Sequence, residues 1–402
     1  MLGKMALEYK GIYFKYSVYL LCVSIFLGNA ALSIVTAGFY VNLFFLSYNR
    51  SDIYSFFSRK TLVLLGLYFF IIITILFLVL DDYEDLVPIK DYFPFLLFPV
   101  IIFSFQKIVK DTKFNYNVRK VYVLSALSSF IISFFYGLWR TFFFEKNFNP
   151  IYLSYKFLSE PFGVHHIYMS IFYILAILFC IDLLILKRHK VSPKMYLISA
   201  FVLFFGVVLL SSRTAIFGGA IVFLLKVWYL KVFRIKTIIV CISSLLLIGL
   251  TLTVSIPTLG KRAFNINQNI SSYSGASFRM KIWDNALELF KNSPIYGYGI
   301  KKSQKELEGQ YKKVNFRRAY LGNFNVHNQY IQSLIDSGIT GLVVLLIMLF
   351  SPFLCEEKNI NVRLFSLLVI ICSITESFLV RQNGIVFYCL FLSIFIVEYL
   401  KE

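Results

Sequence analysis

Long runs of apolar residues, separated by short polar connections, make up most of this chain. A helix that crosses a membrane needs about 20 predominantly apolar residues, and runs close to that length recur about twelve times. The predicted spans are residues 13–28, 31–47, 61–80, 93–106, 121–138, 166–186, 196–211, 214–230, 237–255, 338–353, 364–380 and 384–399. The pattern predicts an all-α fold, a bundle of about twelve transmembrane helices that forms one membrane domain over residues 1–402.

One long polar interval, residues 256–336, lies between the ninth and the tenth span. Within it, residues 277–289 predict a helix with an apolar side, which suits lying against the membrane surface or the mouth of the bundle. That side carries Ile282, Trp283, Ala286, Leu287 and Phe290. The fold prediction therefore includes one long, partly helical loop.

Proline and glycine residues predict where the helices of this interval end. Pro294 is expected to end the first helix, and Gly297 and Gly299 are expected to allow a tight return of the chain. A second helix is expected to start near His327. Gly338 and Gly341 then mark where this second helix turns into the tenth span.

Composition supports a membrane protein. Hydrophobic residues make up 58% of the chain and charged residues 15%, whereas a soluble domain has about 25% charged residues. The six cysteines lie in or beside apolar spans without paired spacing, so we expect small buried apolar side chains rather than disulfides or a zinc site. The net charge of +19 is scattered between the spans, which indicates membrane topology rather than a nucleic-acid partner.

The distribution of basic residues predicts the orientation of the chain. Lys and Arg concentrate before the first span and after the second, fourth, sixth and eighth spans, so these connections and both termini are expected on the cytoplasmic side. Residues 139–165, the turn at 211–213 and the interval 256–336 then lie on the outer side. Residues 256–332 carry twelve Lys and Arg against four Asp and Glu. An anionic substrate or lipid headgroup accounts for this excess, and a merely soluble surface is the alternative.

His327 is the best candidate for proton transfer. A neutral imidazole near pH 7 can accept a proton from a sugar hydroxyl, and Asn328 stands beside it. Arg213, in the turn between the seventh and eighth spans, forms a small anion-binding cluster with the hydroxyl of Ser212. Arg213 can also simply extend its charge to the membrane interface.

Other candidates have weaker support. Arg140 ends the fifth span in the same leaflet, and His166 begins the sixth span on the outer side. Glu376 is predicted in the outer third of the eleventh span, where an ionisable group is a functional candidate by default. Asp182 is nearer the cytoplasmic end and is expected to be a structural partner of basic residues. No metal-binding, nucleotide-binding or zinc motif is present in the sequence, so no metal or cofactor is expected.

Three motifs in this order resemble the O-antigen ligase and O-antigen polymerase superfamily of bacterial envelope enzymes. The matching pieces are Ser212-Arg213-Thr214 at a span turn, Arg279-x-x-x-Trp283 with Pro294 and Gly297-x-Gly299, and His327-Asn328-x-Tyr330 followed by Gly338 and Gly341. The resemblance covers residues 195–400 best, a ligase-like core with residues 256–336 as its periplasmic loop. At His165-His166-Ile167-Tyr168 the chain departs from relatives, which often have a proline after the histidine.

The resemblance implies a metal-independent glycosyltransferase of the bacterial inner membrane, with its active site on the periplasmic face. Such enzymes transfer a glycan from undecaprenyl diphosphate to an acceptor hydroxyl, on the lipid A core or another envelope acceptor. His327 would be the base, and Arg213 and Arg279 would bind the diphosphate, because forked arginine donors stabilise charge on phosphate oxygens. The implied partners are the lipid-linked glycan donor, the glycan or lipid A core acceptor, and membrane lipid.

Two other functions compete with a ligase. A polymerase that joins repeat units of O-antigen, capsule or exopolysaccharide uses much the same chemistry, and the sequence does not separate the two. A flippase for lipid-linked oligosaccharides, or another transporter, could also use about twelve spans. A transporter should show two matched halves with ionisable groups along both, whereas this chain concentrates its polar motifs in one loop and one turn. A non-enzymatic scaffold has still less support.

Overall fold

The computed structural model describes residues 2–45, 55–79, 86–143, 150–186, 192–231, 275–355 and 360–399. Within these ranges the protein is all-helical and contains no strand. The α-helices are α1 (Leu2–Ser24), α2 (Asn29–Tyr40), α3 (Lys60–Leu78), α4 (Ile89–Ser104), α5 (Gln106–Val109), α6 (Thr112–Phe143), α7 (Tyr155–Ser159), α8 (His166–Ile185), α9 (Pro193–Leu209), α10 (Arg213–Leu230), α11 (Gly275–Asn292), α12 (Ile300–Lys313), α13 (Arg317–Leu321), α14 (Gln329–Cys355), α15 (Ile360–Ser373) and α16 (Gln382–Glu398). Among the described residues, 3₁₀ turns lie at Val41–Phe45, Pro150–Leu153 and Glu160–Phe162.

Several of these helices have the length and composition of membrane spans. Among the described residues, five are both long and apolar enough to cross a membrane: Lys60–Leu78, Thr112–Phe143, His166–Ile185, Arg213–Leu230 and Gln329–Leu354. Shorter apolar helices accompany them. Each of the other eleven predicted spans overlaps a described helix at least in part, whereas the ninth, residues 237–255, lies outside the described residues. The total of twelve spans stays a prediction.

The eleventh predicted span, residues 364–380, is partly wrong. Its helix, α15, ends at Ser373, and residues 374–381 form a non-helical connection to α16. Polar side chains gather at this point, where Ser373 is followed by Thr375 and Glu376. Glu376 therefore lies in a connection and not inside a helix.

Contacts divide the chain into two compact units. The first contains residues 1–14, 40–111 and 275–402, and the second contains residues 15–39 and 112–274. In the first unit, α16 packs on α4 and α15, while α14 packs on α3, α11 and α15. Because lipid is as apolar as the helix faces, such contacts are held by close packing rather than by exclusion of water.

The second unit is built around α8, which is almost entirely buried. Helices α6, α9 and α10 pack against it. The Asp182 carboxylate of α8 lies 3.2 Å from Arg119 Nε of α6 and 2.7 Å from Lys226 Nζ of α10. A buried charge needs such partners, so the prediction that Asp182 is a structural partner of basic residues is confirmed.

The polar interval is more helical than the sequence predicted. Helix α11 contains the predicted 277–289 helix, but α12 and α13 were not predicted. These helices enclose a small hydrophobic core that includes Phe278, Ile282, Leu307 and Tyr311. The apolar side of α11 therefore packs on neighbouring helices, including α14 of the tenth predicted span. The expectation that it lies against the membrane surface or the bundle mouth stays a prediction.

Candidate active site

His327 occupies an unusual backbone conformation just before α14. Its φ angle is 52°, in the left-handed region that few residues other than glycine adopt. Asparagine side chains flank it: Asn325 Oδ1 accepts a hydrogen bond from His327 N at 3.3 Å. On the other side, Asn328 Oδ1 caps α14 by accepting from Tyr330 N at 2.9 Å and from Ile331 N at 3.1 Å. The two asparagines hold the turn that presents the imidazole.

The residue before His327 is held at both of its backbone polar groups. Val326 O accepts a hydrogen bond from Trp283 Nε1 of α11 at 3.0 Å, and Val326 N donates to Gln332 Oε1 of α14 at 3.3 Å. A backbone in a sparsely populated region costs about 1–3 kcal/mol and persists only when its surroundings fix it. Neither of these two hydrogen bonds was predicted from the sequence.

Glu376 contacts His327, although the two residues are 49 positions apart in the sequence. Its Oε2 lies 3.2 Å from His327 Nδ1. The Glu376 side chain is only 1% exposed and that of His327 is 16% exposed, so the pair is largely shielded from solvent. A carboxylate accepts hydrogen bonds, which assigns a proton to Nδ1 and leaves the lone pair of Nε2 as the proton acceptor.

Two further residues of α14 fasten the connection that carries Glu376. Gln329 Oε1 accepts a hydrogen bond from Leu379 N at 2.7 Å. The Tyr330 hydroxyl donates to Ile370 O of α15 at 2.9 Å. Both contacts join the first turn of α14 to the end of α15 and to residues 374–381, so the carboxylate is held beside the imidazole.

Glycines allow the 294–299 segment to pass very close to the backbone of α14. Helix α14 is broken at Gly338, where φ is 65°. The 294–299 segment fills this break: Tyr298 N donates to Ile335 O and Gly299 N to Asp336 O, at 2.9 and 2.8 Å. A Cβ at Gly338 would lie 2.2 Å from Ile295 O. The prediction of a turn at Gly338 is confirmed, whereas Gly341 lies within the continuing helix.

Two tyrosines, the half-buried Tyr298 and the buried Tyr311, tie the helices of the interval together. The Tyr298 hydroxyl donates to Leu289 O at 3.1 Å, and the Tyr311 hydroxyl to Phe324 O at 3.3 Å. Burial raises the pKa of both tyrosines, and nearby glutamates, Glu306 and Glu308, add to the effect. Both hydroxyls therefore stay protonated and serve as donors at neutral pH.

The two predicted diphosphate-binding arginines lie in different units. Arg279 is half-buried on α11, one turn before Trp283, in the first unit. Arg213 is the first residue of α10 in the second unit. The buried Ser212 occupies the N-cap position of that helix without a side-chain capping hydrogen bond, and Ser211, with a φ of 55°, makes the predicted turn. The roles of both arginines stay predictions.

Arg140 and His166, the weaker candidates, lie in the second unit with local partners. Arg140 Nη1 lies 2.5 Å from Glu160 Oε2, and its guanidinium lies 4.5 Å from the Tyr152 ring centroid. His166 is buried, with its ring 4.1 Å from that of Tyr155. These partners were not predicted from the sequence, and the roles of Arg140 and His166 stay predictions.

Four cysteines behave as the sequence predicted. Cys22, Cys180, Cys372 and Cys389 are buried free thiols, whereas Cys241 and the side chain of Cys355 fall outside what the structure describes. Over the described ranges, no group of three or more His, Cys, Asp or Glu side chains could hold a metal ion.

These features define a helical membrane protein with a histidine–carboxylate pair at a helix start. Residues 198–346 match the model of the protein family described as O-Antigen ligase. The matched segment includes Arg213, Arg279 and His327. This match supports the assignment of the chain to the O-antigen ligase superfamily, as the motifs predicted.

One curated relative extends the comparison. A protein of Haemophilus influenzae, described as an uncharacterized protein, is 27% identical to this chain over 188 residues. The aligned segment covers 42% of this chain and 47% of the relative, about half of its length. The family match and the apolar helices together support a membrane protein related to this family over the matched segment.

Proposed function

We propose that this protein transfers a glycan from undecaprenyl diphosphate to an acceptor hydroxyl at the periplasmic face of a bacterial inner membrane. The observation that carries the proposal is the contact of 3.2 Å between His327 Nδ1 and Glu376 Oε2. A buried carboxylate that orients an imidazole is the arrangement by which a histidine acts as a general base. The O-Antigen ligase match supports the same class of reaction.

The proposed reaction follows from the tautomer of His327. With Nδ1–H donated to Glu376, Nε2 accepts the proton of the acceptor hydroxyl. The acceptor oxygen then forms a bond to the anomeric carbon of the donor sugar. The bond between that carbon and the phosphate oxygen breaks, and the diphosphate leaves with the electron pair. Glu376 stabilises the imidazolium that forms, because it supplies the opposite charge in a shielded site.

Arginines have a separate part in this proposal. Arg213 and Arg279 are proposed to bind the diphosphate, whose negative charge increases as the leaving group departs. The high density of basic residues between positions 256 and 332 favours an anionic substrate in the same way. In this scheme the reaction requires no metal ion, because the positive charge of the arginines neutralises the negative charge of the diphosphate.

A repeat-unit polymerase is the second candidate function. It would use the same donor and the same base, and only the acceptor would differ, being a lipid-linked glycan in place of the lipid A core. The match to the family described as O-Antigen ligase is compatible with both functions. The choice between the two depends on where the acceptor binds.

The test is a transfer assay with the purified protein in lipid nanodiscs. A lipid-diphosphate-linked glycan is supplied with lipid A core in one arm and with a second lipid-linked glycan in the other. We expect a glycosylated lipid A core in the first arm and release of the lipid diphosphate. Elongated lipid-linked glycan in the second arm alone would establish the polymerase, and no transfer to either acceptor would contradict the proposal.

A further inference from the structure

We propose that Asp336 is a positioning residue for His327, acting through the side-chain amide of Gln332. The inference rests on the proposed function, since it concerns how the general base is held. Asp336 and Gln332 lie one helical turn apart in the first part of α14, before the break at Gly338. Both are buried, with 5% and 3% of their surface exposed.

The carboxylate of Asp336 meets two donors from different segments. Ser303 of α12 donates its hydroxyl to Asp336 Oδ1. Gln332 Nε2 donates to the same oxygen at 2.8 Å. The backbone carbonyl of Asp336 also accepts from Gly299 N at 2.8 Å. The side chain therefore lies where α12, α14 and the 294–299 segment meet.

Asp336 determines which way the Gln332 amide faces. An amide group has one accepting end and one donating end, and either end fits the same space. A carboxylate oxygen accepts, so it selects the Nε2 end of Gln332. The Oε1 end then faces Val326 N and accepts its hydrogen bond at 3.3 Å. If the Gln332 amide were rotated by 180°, its Nε2–H group would face the N–H group of Val326, and no hydrogen bond could form between them.

The hydrogen bond at Val326 N affects the backbone conformation of the proposed base, His327. Val326 is the neighbour of His327, and its carbonyl is already held by Trp283 Nε1 at 3.0 Å. With both polar groups of Val326 held, the left-handed backbone of His327 is maintained. Without the contact from Gln332, residues 325–328 can relax toward commoner angles, which moves the imidazole away from Glu376.

The chain offers a matched control pair. On α12, Gln304 Nε2 donates to Glu308 Oε1 at 3.0 Å, so a glutamine again precedes an acid by four residues. Neither partner of this pair is bonded to the segment that carries His327. A variant of Glu308 therefore removes the same kind of contact from the same region without affecting the proposed chain of hydrogen bonds.

The test compares kcat and KM of glycan transfer, each corrected for the folded fraction, in nanodiscs. Asp336→Leu and Gln332→Met are each expected to lower kcat about 10- to 100-fold with the donor KM little changed, because small misplacement of a catalytic group costs that much. Glu308→Leu is expected to leave kcat unchanged. Asp336→Leu combined with Gln332→Glu is expected to recover most of the loss, since a carboxyl presents an accepting oxygen whichever way it turns.

Three outcomes would overturn the inference. The first is an unchanged kcat per folded molecule in Asp336→Leu, with a loss confined to thermal stability. The second is a kcat loss in Asp336→Leu that Gln332→Glu does not relieve. The third is an equal loss in Glu308→Leu. A His327→Gly variant measured alongside separates the two proposals: if it transfers glycan normally, the proposed base is wrong, whereas if it alone is inactive, only the positioning role is wrong.

Discussion

A histidine with φ in the left-handed region is costly unless its surroundings hold it. At His327 the surroundings come from four directions: the flanking asparagines, Trp283, Gln332 and the Glu376 carboxylate. All but the last fix the backbone, and Glu376 fixes the ring. A side chain held this firmly is suited to accept a proton in one direction only, which is what a general base requires.

The contribution of Glu376 can be measured at the level of this one residue. Glu376→Gln keeps the size of the side chain but removes the charge that stabilises the imidazolium. We expect kcat of transfer to fall by about 100-fold, within the usual range for a general base and its partner. Transfer kinetics of the purified protein provide the measurement.

Glu306→Gln is the control for this variant. It removes a carboxylate from α12 that is not in contact with His327, so its kcat should match that of the unaltered protein. A Glu376→Gln protein that is folded and transfers at the normal rate would show that the carboxylate has no part in catalysis.

At the scale of helices, the crossing of residues 294–299 with α14 is the feature on which the site is built. The break at Gly338 frees backbone carbonyls of Ile335 and Asp336, and the N–H groups of Tyr298 and Gly299 bind them. This pairing satisfies groups that would otherwise be unpaired in an apolar setting. It also sets the angle between the part of α14 before Gly338, which carries the site at its start, and the rest of the helix.

Gly338→Ala tests this crossing. The added Cβ would lie 2.2 Å from Ile295 O, and the φ of 65° disfavours any L residue. We expect the free energy of unfolding to fall by at least about 1–3 kcal/mol, the usual cost of a sparsely populated backbone conformation. Thermal unfolding of the purified protein in detergent measures this decrease in stability.

Gly309→Ala is the matched comparison. Gly309 lies within α12, and nothing lies within 4 Å of an added Cβ. Alanine should therefore raise stability by about 0.5–1 kcal/mol, because glycine weakens a helix interior. If both variants shift the unfolding temperature in the same direction, the described crossing is not what makes Gly338 necessary.

Sequence patterns predicted some of these elements and not others, for physical reasons. Membrane spans such as 166–186 were predictable because their apolar runs are long, and α8 follows that run closely. Helices α12 and α13 were not, since α12 buries only a narrow stripe of Ser303, Leu307 and Tyr311 among charged residues. Polar helices of this kind produce no apolar run to detect.

The tertiary contacts of the site could not be predicted from sequence patterns, for a different reason. His327 was predictable as a candidate from its residue type and its neighbours. Its contact with Glu376 joins positions 49 apart, and the prediction placed Glu376 inside a helix that in fact ends at Ser373. The role of Gln332 depends on which way one amide faces, and such orientation is decided by tertiary structure alone.

At the scale of the whole molecule, the family match extends over both units of the chain. Residues 198–346 contain most of α9 and all of α10 in the second unit, and α11 to α13 with most of α14 in the first. The predicted diphosphate ligands are divided in the same way, with Arg213 in the second unit and Arg279 in the first. The ligase-like core over residues 195–400 stays a prediction, and its residues fall in both units.

The orientation of the chain in the membrane is a prediction at this scale. A topology reporter at Lys301, in the first turn of α12, should read the outer side, because the basic loops are expected on the cytoplasmic side. A second reporter at Lys194, at the start of α9, should read the cytoplasmic side. A cytoplasmic reading at Lys301 would rule out transfer at the periplasmic face.

The proposal that His327 is the general base is tested most directly by His327→Gly with and without added imidazole. Glycine adopts a φ of 52° without strain, so the backbone keeps its path while the imidazole is removed. Transfer of a lipid-diphosphate-linked glycan should fall by about 10²- to 10⁴-fold. Free imidazole should restore part of the rate in the glycine variant and have no effect on the unaltered protein. A His327→Gly protein that transfers glycan at the normal rate without imidazole would contradict the account.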